Sequence, residues 1–269
     1  MRYFFSLVAL LFASTLPAQK VNSDWDAYLM QVNNKPVSII VDLGPGTTAP
    51  LKERPFVVIV RTKIQNPDPN GLPAKTEIPR LDKMENQLVE QLSKRTGALY
   101  VGRYTQRGLR EFYFYALDTI DYVLGVRAAM AEFTDYQWLT QAKEDKLWSN
   151  YFTVLYPGPV DMEKIQNRRL VDLLKGKGDA LKESRRIDHY FYFKTKSKRD
   201  EFMRSEGMEN FTVEEVPEAA TKDLLPYMVH VYKNDVPDYS FIERVLIPLW
   251  EKARQFQGRY DGWETYLVK

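Results

Sequence analysis

From residue 55 onward the chain alternates strand-like and helix-like patterns in one order, strand, helix, strand, strand, helix, strand, and then runs through that order a second time. In the first pass "PFVVIVRT" is a β-branched strand. Residues 77–94 place Leu81, Met84, Leu88 and Leu92 at helical spacing. "ALYVGRYT" and "REFYFYA" read as two strands about the turn at Gln106-Arg107-Gly108, a helix follows over 120–131, and "YQWLTQA" closes the pass. The second pass opens with "RIDHYFYFK", then a short helix over 197–205 stopped by Gly207, then "FTVEEV" and "YMVHVYK". Asp238 or Ser240 caps a long helix carrying Phe241, Val245, Leu249, Trp250 and Phe256. Pro248 should kink that helix or set its first half apart, and "YDGWETYLV" ends the unit.

Few topologies accept this order. The expected fold class is α+β, with two ferredoxin-like β-α-β-β-α-β sandwich domains in tandem. A β-hairpin precedes the first, made from "WDAYLMQV" and "PVSIIVDL" across Asn33-Asn34-Lys35. The expected division is 22–156 for the first domain, 157–180 for a linking helix, and 181–269 for the second domain.

The start of the chain sets the expected compartment. Arg2, an apolar run over residues 3–16, and Pro17-Ala18-Gln19 give residues 1–19 the form of an export signal. The run is shorter than the roughly 20 residues a spanning helix needs. Export to the periplasm or medium after cleavage is expected, with a cytoplasmic protein as the alternative. No later segment is apolar enough to insert the mature chain in a membrane. The chain has no cysteine, which excludes disulfides, thiolate metal sites and a cysteine nucleophile. A formal net charge of +2 gives no electrostatic case for nucleic acid.

Strand parity then assigns faces in the second domain. Ile187, His189, Phe191 and Phe193 share one face of their strand, and Asp188, Tyr190 and Tyr192 the other. With Val229 and Val231 under the helices, His230 and Tyr232 join the open side. The candidate binding face is therefore Asp188, Tyr190, Tyr192, His230 and Tyr232, with Glu264 and Tyr266 beside it. Its aromatics match the way RNA-recognition sheets stack bases, or the face packs against the first domain, the linking helix or a second copy. The two histidines point to opposite faces, so they form no joint metal or acid–base device. "GPGTT" and "DPNG" suit turns better than an anion nest or a calcium loop. No catalytic, cofactor-binding or metal-binding motif is present, and a protein partner is favoured over nucleic acid.

Longer stretches carry a resemblance. "WDAYLMQVNNKPVSIIVDLG", "REFYFYA" and "NYFTVLYP" resemble the bacterial domain-of-unknown-function family 695, and "IQNRRLVDLLKGKGDAL" is similar to that family's connector. From "RRIDHYFYFKT" through "SKRDEFMRSEGM" to "YDGWET" the chain resembles the regulator of ribonuclease E activity B family. The resemblance implies a ferredoxin-like fold for the second part. It also implies a cytosolic modulator of ribonuclease E, which together with the RNA-contacting protein suggested by the aromatic face makes up the second functional reading. The first reading is an exported, non-enzymatic protein that binds another macromolecule.

Overall fold

The computed structural model describes residues 22–215 and 224–269. The export signal expected over residues 1–19 lies outside them. Two antiparallel sheets organise the chain. The first begins with a hairpin of β1 (Trp25–Val32) and β2 (Lys35–Asp42). Its two turn residues, Asn33 and Asn34, both have positive φ (51° and 58°), the conformation a tight hairpin turn requires and asparagine tolerates. Lys35, expected in the turn, pairs with Val32 as the first residue of β2.

Next come β3 (Phe56–Lys63), α1 (Ile78–Thr96), β4 (Leu99–Gln106), β5 (Leu109–Ala116), α2 (Tyr122–Met130) and β6 (Trp138–Glu144). The six strands lie in the order β1-β2-β4-β5-β3-β6. α1 buries Leu81, Met84, Leu88 and Leu92, the row expected from its spacing. α2 starts two residues later than the expected 120. Asp118 Oδ1 accepts from the Ile120 N–H at 2.8 Å, and Asp121 holds φ at +61°, so the backbone turns before it coils.

Alternation along β3 fills two cores. Val58 and Val60 face α1 and α2, together with Phe112 and Phe114 of β5. Val57 and Ile59 face the other way with Tyr113 and Tyr115, where Trp148, Tyr151 and Leu155 cover them. A π-helical turn, Tyr151–Leu155, supplies part of that cover. Its last bond runs from the Tyr156 N–H to the Tyr151 carbonyl, five residues back, a register that no 3.6-residue pattern announces.

The linking helix α3 runs over Pro159–Gly176, inside the expected 157–180. Pro159 suits the first turn, where its missing N–H costs nothing. Ile165 of α3 belongs to the back core of the first sheet, while Val171 and Leu174 belong to the core of the second. The indole N–H of Trp263 donates to Asn167 Oδ1 at 2.8 Å and fastens α3 to the last strand.

The second sheet contains β7 (Arg185–Phe193), β8 (Thr212–Glu215), β9 (Tyr227–Asp235) and β10 (Gly258–Thr265), in the order β10-β7-β9-β8. In chain order within the unit that is fourth, first, third, second. Reading the first sheet from β6 to β4 gives the same sequence of positions. α4 (Lys196–Met203) and the helix beginning at Tyr239 cover one face. Asp238 is its cap, accepting the Phe241 N–H at 3.0 Å. That helix comes in three pieces, α5 (Tyr239–Phe241), a π-helical turn (Ile242–Leu246) and α6 (Ile247–Gln255). Pro248 explains the break. It has no N–H to continue the α-helical ladder, and the turn before it closes from the Ile247 N–H to the Ile242 carbonyl, again five residues back. No helix among the described residues is long and apolar enough to cross a membrane.

Candidate binding face of the second sheet

Pairing between β7 and β9 sets Asp188 opposite Tyr232, Tyr190 opposite His230, and Tyr192 opposite Met228. Side chains directly opposite, or one step diagonal, touch across such a ladder. Tyr190 stacks on the His230 ring, centroids 4.4 Å apart at 23°. His230 Nε2 lies 2.7 Å from Asp188 Oδ1. Arg186 donates to the same carboxylate, Nη2 at 2.7 Å and Nε at 3.0 Å. Its guanidinium also sits 3.9 Å from the centre of the Tyr232 ring and reaches Glu214 at 3.2 Å. On the other side, the Tyr190 hydroxyl donates to Glu264 Oε1 at 2.5 Å. One line of contacts thus crosses the sheet from Glu264 on β10 through Tyr190, His230, Asp188 and Arg186 to Glu214 on β8.

Three of the five expected residues, Asp188, Tyr190 and His230, fall in this line, and Tyr232 flanks it beneath Arg186. Tyr192 does neither, and lies instead beneath the Arg259 guanidinium, 5.2 Å from its ring centre. Arg186 and Glu214 complete the line and were not singled out from sequence. The signal for Arg186 was available, since it shares the parity of Asp188 and Tyr190. Burial alone would raise the Asp188 pKa, but the hydrogen bonds from Arg186 and His230 outweigh it and hold the carboxyl below its ordinary value. The bond to Glu264, and then burial, push the Tyr190 phenol up to about 12, so it remains a donor at physiological pH.

His189 points the other way, as parity requires. It is 1% exposed, with Nδ1 2.8 Å from the Tyr260 hydroxyl and the rings of Phe211, Phe241 and Tyr260 around it. Burial lowers its pKa from 6.5 to about 4. In that window the unfolded chain binds the proton and the folded chain does not. Stability present above pH 6.5 is therefore expected to fall as pH drops toward 4, by about 3 kcal/mol in all. Urea titrations at successive pH values should show this slope, and His189→Gln should flatten it. An unchanged slope in the variant would assign the acid sensitivity to other groups.

The first of the two turn-like motifs is a single 3-10 helical turn, Gly44–Thr47, and the second is a turn. The Asp42 carboxylate accepts the N–H groups of Asp24 and Gly44 at 2.7 and 3.0 Å, and Thr47 bonds back to the Gly44 carbonyl. Asp68 Oδ1 accepts from Asn70 and Leu72 at 2.9 and 2.8 Å, so its own loop uses the oxygen a cation would need.

These observations define an α+β protein of two antiparallel sheets, the second with helices on one face and a polar, aromatic opposite face. Residues 23–156 match the model of a family of unknown function (DUF695), and residues 164–265 match that of regulator of ribonuclease activity B. The chain thus carries a DUF695 region followed by a regulator of ribonuclease activity B region, in the order its motifs implied. No curated protein matches it. One solved structure, of a candidate glycine cleavage system transcriptional repressor, aligns at 9% identity over 78% of this chain and 98% of that one. The TM-score of that alignment is 0.20.

Proposed function

We propose that the chain is an exported, non-enzymatic protein whose second sheet captures a protein partner through the face of Asp188, Tyr190, His230 and Tyr232. In this reading residues 22–156 and 181–269 are two ferredoxin-like domains joined by α3, supported by the shared fourth-first-third-second strand order. The apolar run over residues 3–16 supports export. The observation that carries the choice of partner is that each of these rings already has one face engaged. Tyr190 has His230 against one face and Tyr232 has Arg186 against one of its own. A base-stacking platform needs free ring faces and a surplus of cations. Here one cation, Arg186, is paired with both Asp188 and Glu214, an arrangement suited to a polar protein surface.

The test is a Tyr190→Ala/Tyr232→Ala double variant, with a photo-crosslinker placed at Tyr192 in both it and the parent chain. The parent should yield a discrete crosslinked partner in the extracytoplasmic fraction, and the variant should lose it. The melting temperature should move by less than roughly 5 °C. A larger fall would show that the two tyrosines are packing rather than contact residues.

The match over residues 164–265 favours a second reading, modulation of a ribonuclease. The two readings separate cleanly. A full-length chain in the cytosol that slows RNA cleavage by purified ribonuclease E would establish the second. A chain shortened near residue 19 outside the cytosol would remove it.

A further inference from the structure

On the helix-covered side of the second sheet, a recess of about 220 Å³ opens where the 3-10 turn Met208–Asn210 meets the helix that begins at Tyr239. Its volume suits one apolar side chain. Phe211, Val245 and Pro248 belong to its apolar lining, and Lys233, Arg244 and Lys252 to its polar part. Among the described residues that line it there is no carboxylate.

The three cations differ in how far they are neutralised. Arg244 gives two hydrogen bonds to Asp235, at 2.7 and 2.9 Å. Lys252 donates to the main-chain carbonyl of Glu206, which fixes the ammonium without cancelling its charge. The Lys233 ammonium lies 5.7 Å from the centre of the Phe211 ring and forms no ion pair among the described residues. Asp235, already bonded to Arg244, is also the carboxylate within reach of the Lys233 charge, so three cations share one carboxylate beside an apolar hollow, a combination that attracts anions carrying an apolar group.

We infer that this recess receives an acidic segment of a protein partner, one apolar side chain seated against Phe211 and Val245 and its neighbouring carboxylates meeting Lys233 and Lys252. Charge names the occupant. A compound with a single carboxylate leaves one ammonium unmatched, whereas an acidic peptide offers several carboxylates next to an apolar residue. The recess lies on the face opposite Asp188 and His230, so the inference stands apart from the reading of that face.

The experiment is fluorescence anisotropy of a fluorescein-labelled peptide, one phenylalanine between pairs of glutamates, titrated with the full chain at low salt. Saturable binding that weakens as salt is added is expected. Lys233→Glu/Lys252→Glu should weaken it roughly tenfold or more. The same peptide with glutamine in place of glutamate should bind no better to the parent chain than the acidic peptide binds to that variant. If the charge-reversed chain does not fold, Lys233→Gln/Lys252→Gln removes the charges with side chains only one atom shorter. Tyr190→Ala/Tyr232→Ala should bind the probe like the parent, which separates this site from the open face. Equal binding by the lysine variants, equal binding of the glutamine peptide, or saturable binding of decanoate where the acidic peptide does not bind would each overturn the inference.

Discussion

Replacing Trp148 by alanine is expected to lower the free energy of unfolding by about 3–5 kcal/mol, a large share of the margin a domain of this kind holds. The indole is fully buried against the back of the first sheet. It stacks on Tyr115 with centroids 3.9 Å apart at 12°, and meets Tyr151 edge-on at 5.7 Å. Its N–H donates to the Arg54 carbonyl at 3.0 Å. Alanine would remove the stacked surface and leave that carbonyl without its donor, two losses that add in the same direction. Trp148→Phe separates them. It keeps most of the aromatic surface and should cost only about 1–3 kcal/mol, the share of the unmade hydrogen bond. Urea unfolding followed by circular dichroism measures both. A cost below about 1 kcal/mol for alanine would mean that the back face does not depend on this ring.

The second large effect is expected at Asp179. Its carboxylate pairs with Arg185 Nη2 at 2.6 Å, and both side chains are 1% exposed. It also accepts the N–H groups of Leu181 at 2.8 Å and Val268 at 3.1 Å, joining the end of the linking helix to the chain beyond β10. Asp179→Ala strands a buried guanidinium whose Nε already lacks a partner among the described residues. The expected loss is about 3–5 kcal/mol. Asp179→Ala/Arg185→Met, which removes both charges, should recover much of it. Burial acts to raise the Asp179 pKa, but the two N–H donors and Arg185 outweigh that and hold it below the ordinary carboxylate value. The pair's stabilisation is thus present above the unfolded-state pKa of roughly 3.9 and disappears as pH falls through the lower folded value. That window lies below the one set by His189, so unfolding curves across the acid range can resolve the two. A double variant no more stable than Asp179→Ala would place the loss in the backbone hydrogen bonds rather than in the stranded charge.

What could be read from the sequence was whatever has a short period. β7 alternates strictly, so Asp188 and Tyr190 were separable from Ile187 and His189 before any partner was known. The row Leu81, Met84, Leu88, Leu92 named its own buried face. Contacts between strands were less accessible, because register is a property of two strands and not of either one. Asp188 and His230 could be set on one face, but their 2.7 Å contact depends on pairing across 42 residues. Glu264 meets Tyr190 only after a register shift between Tyr260 and Gly262 in β10. Glu214 lies on a strand of four residues, too short to show which side it presents. Trp148 and the turn after it were missed for a related reason: their contacts are to the back of a sheet more than 30 residues away, as in the bond from the Tyr151 N–H to the Tyr115 hydroxyl.

The linking helix has two owners. It gives Ile165 to one core and Val171 and Leu174 to the other, and Arg168 and Arg169 clamp Asp24 and Asp26 at the first hairpin. The regulator of ribonuclease activity B match begins inside it, at residue 164, and the DUF695 match ends before it. Neither half is therefore a free-standing cassette. Any shuffling event that transplanted one sheet would have to carry this helix along or leave a bare hydrophobic seam behind.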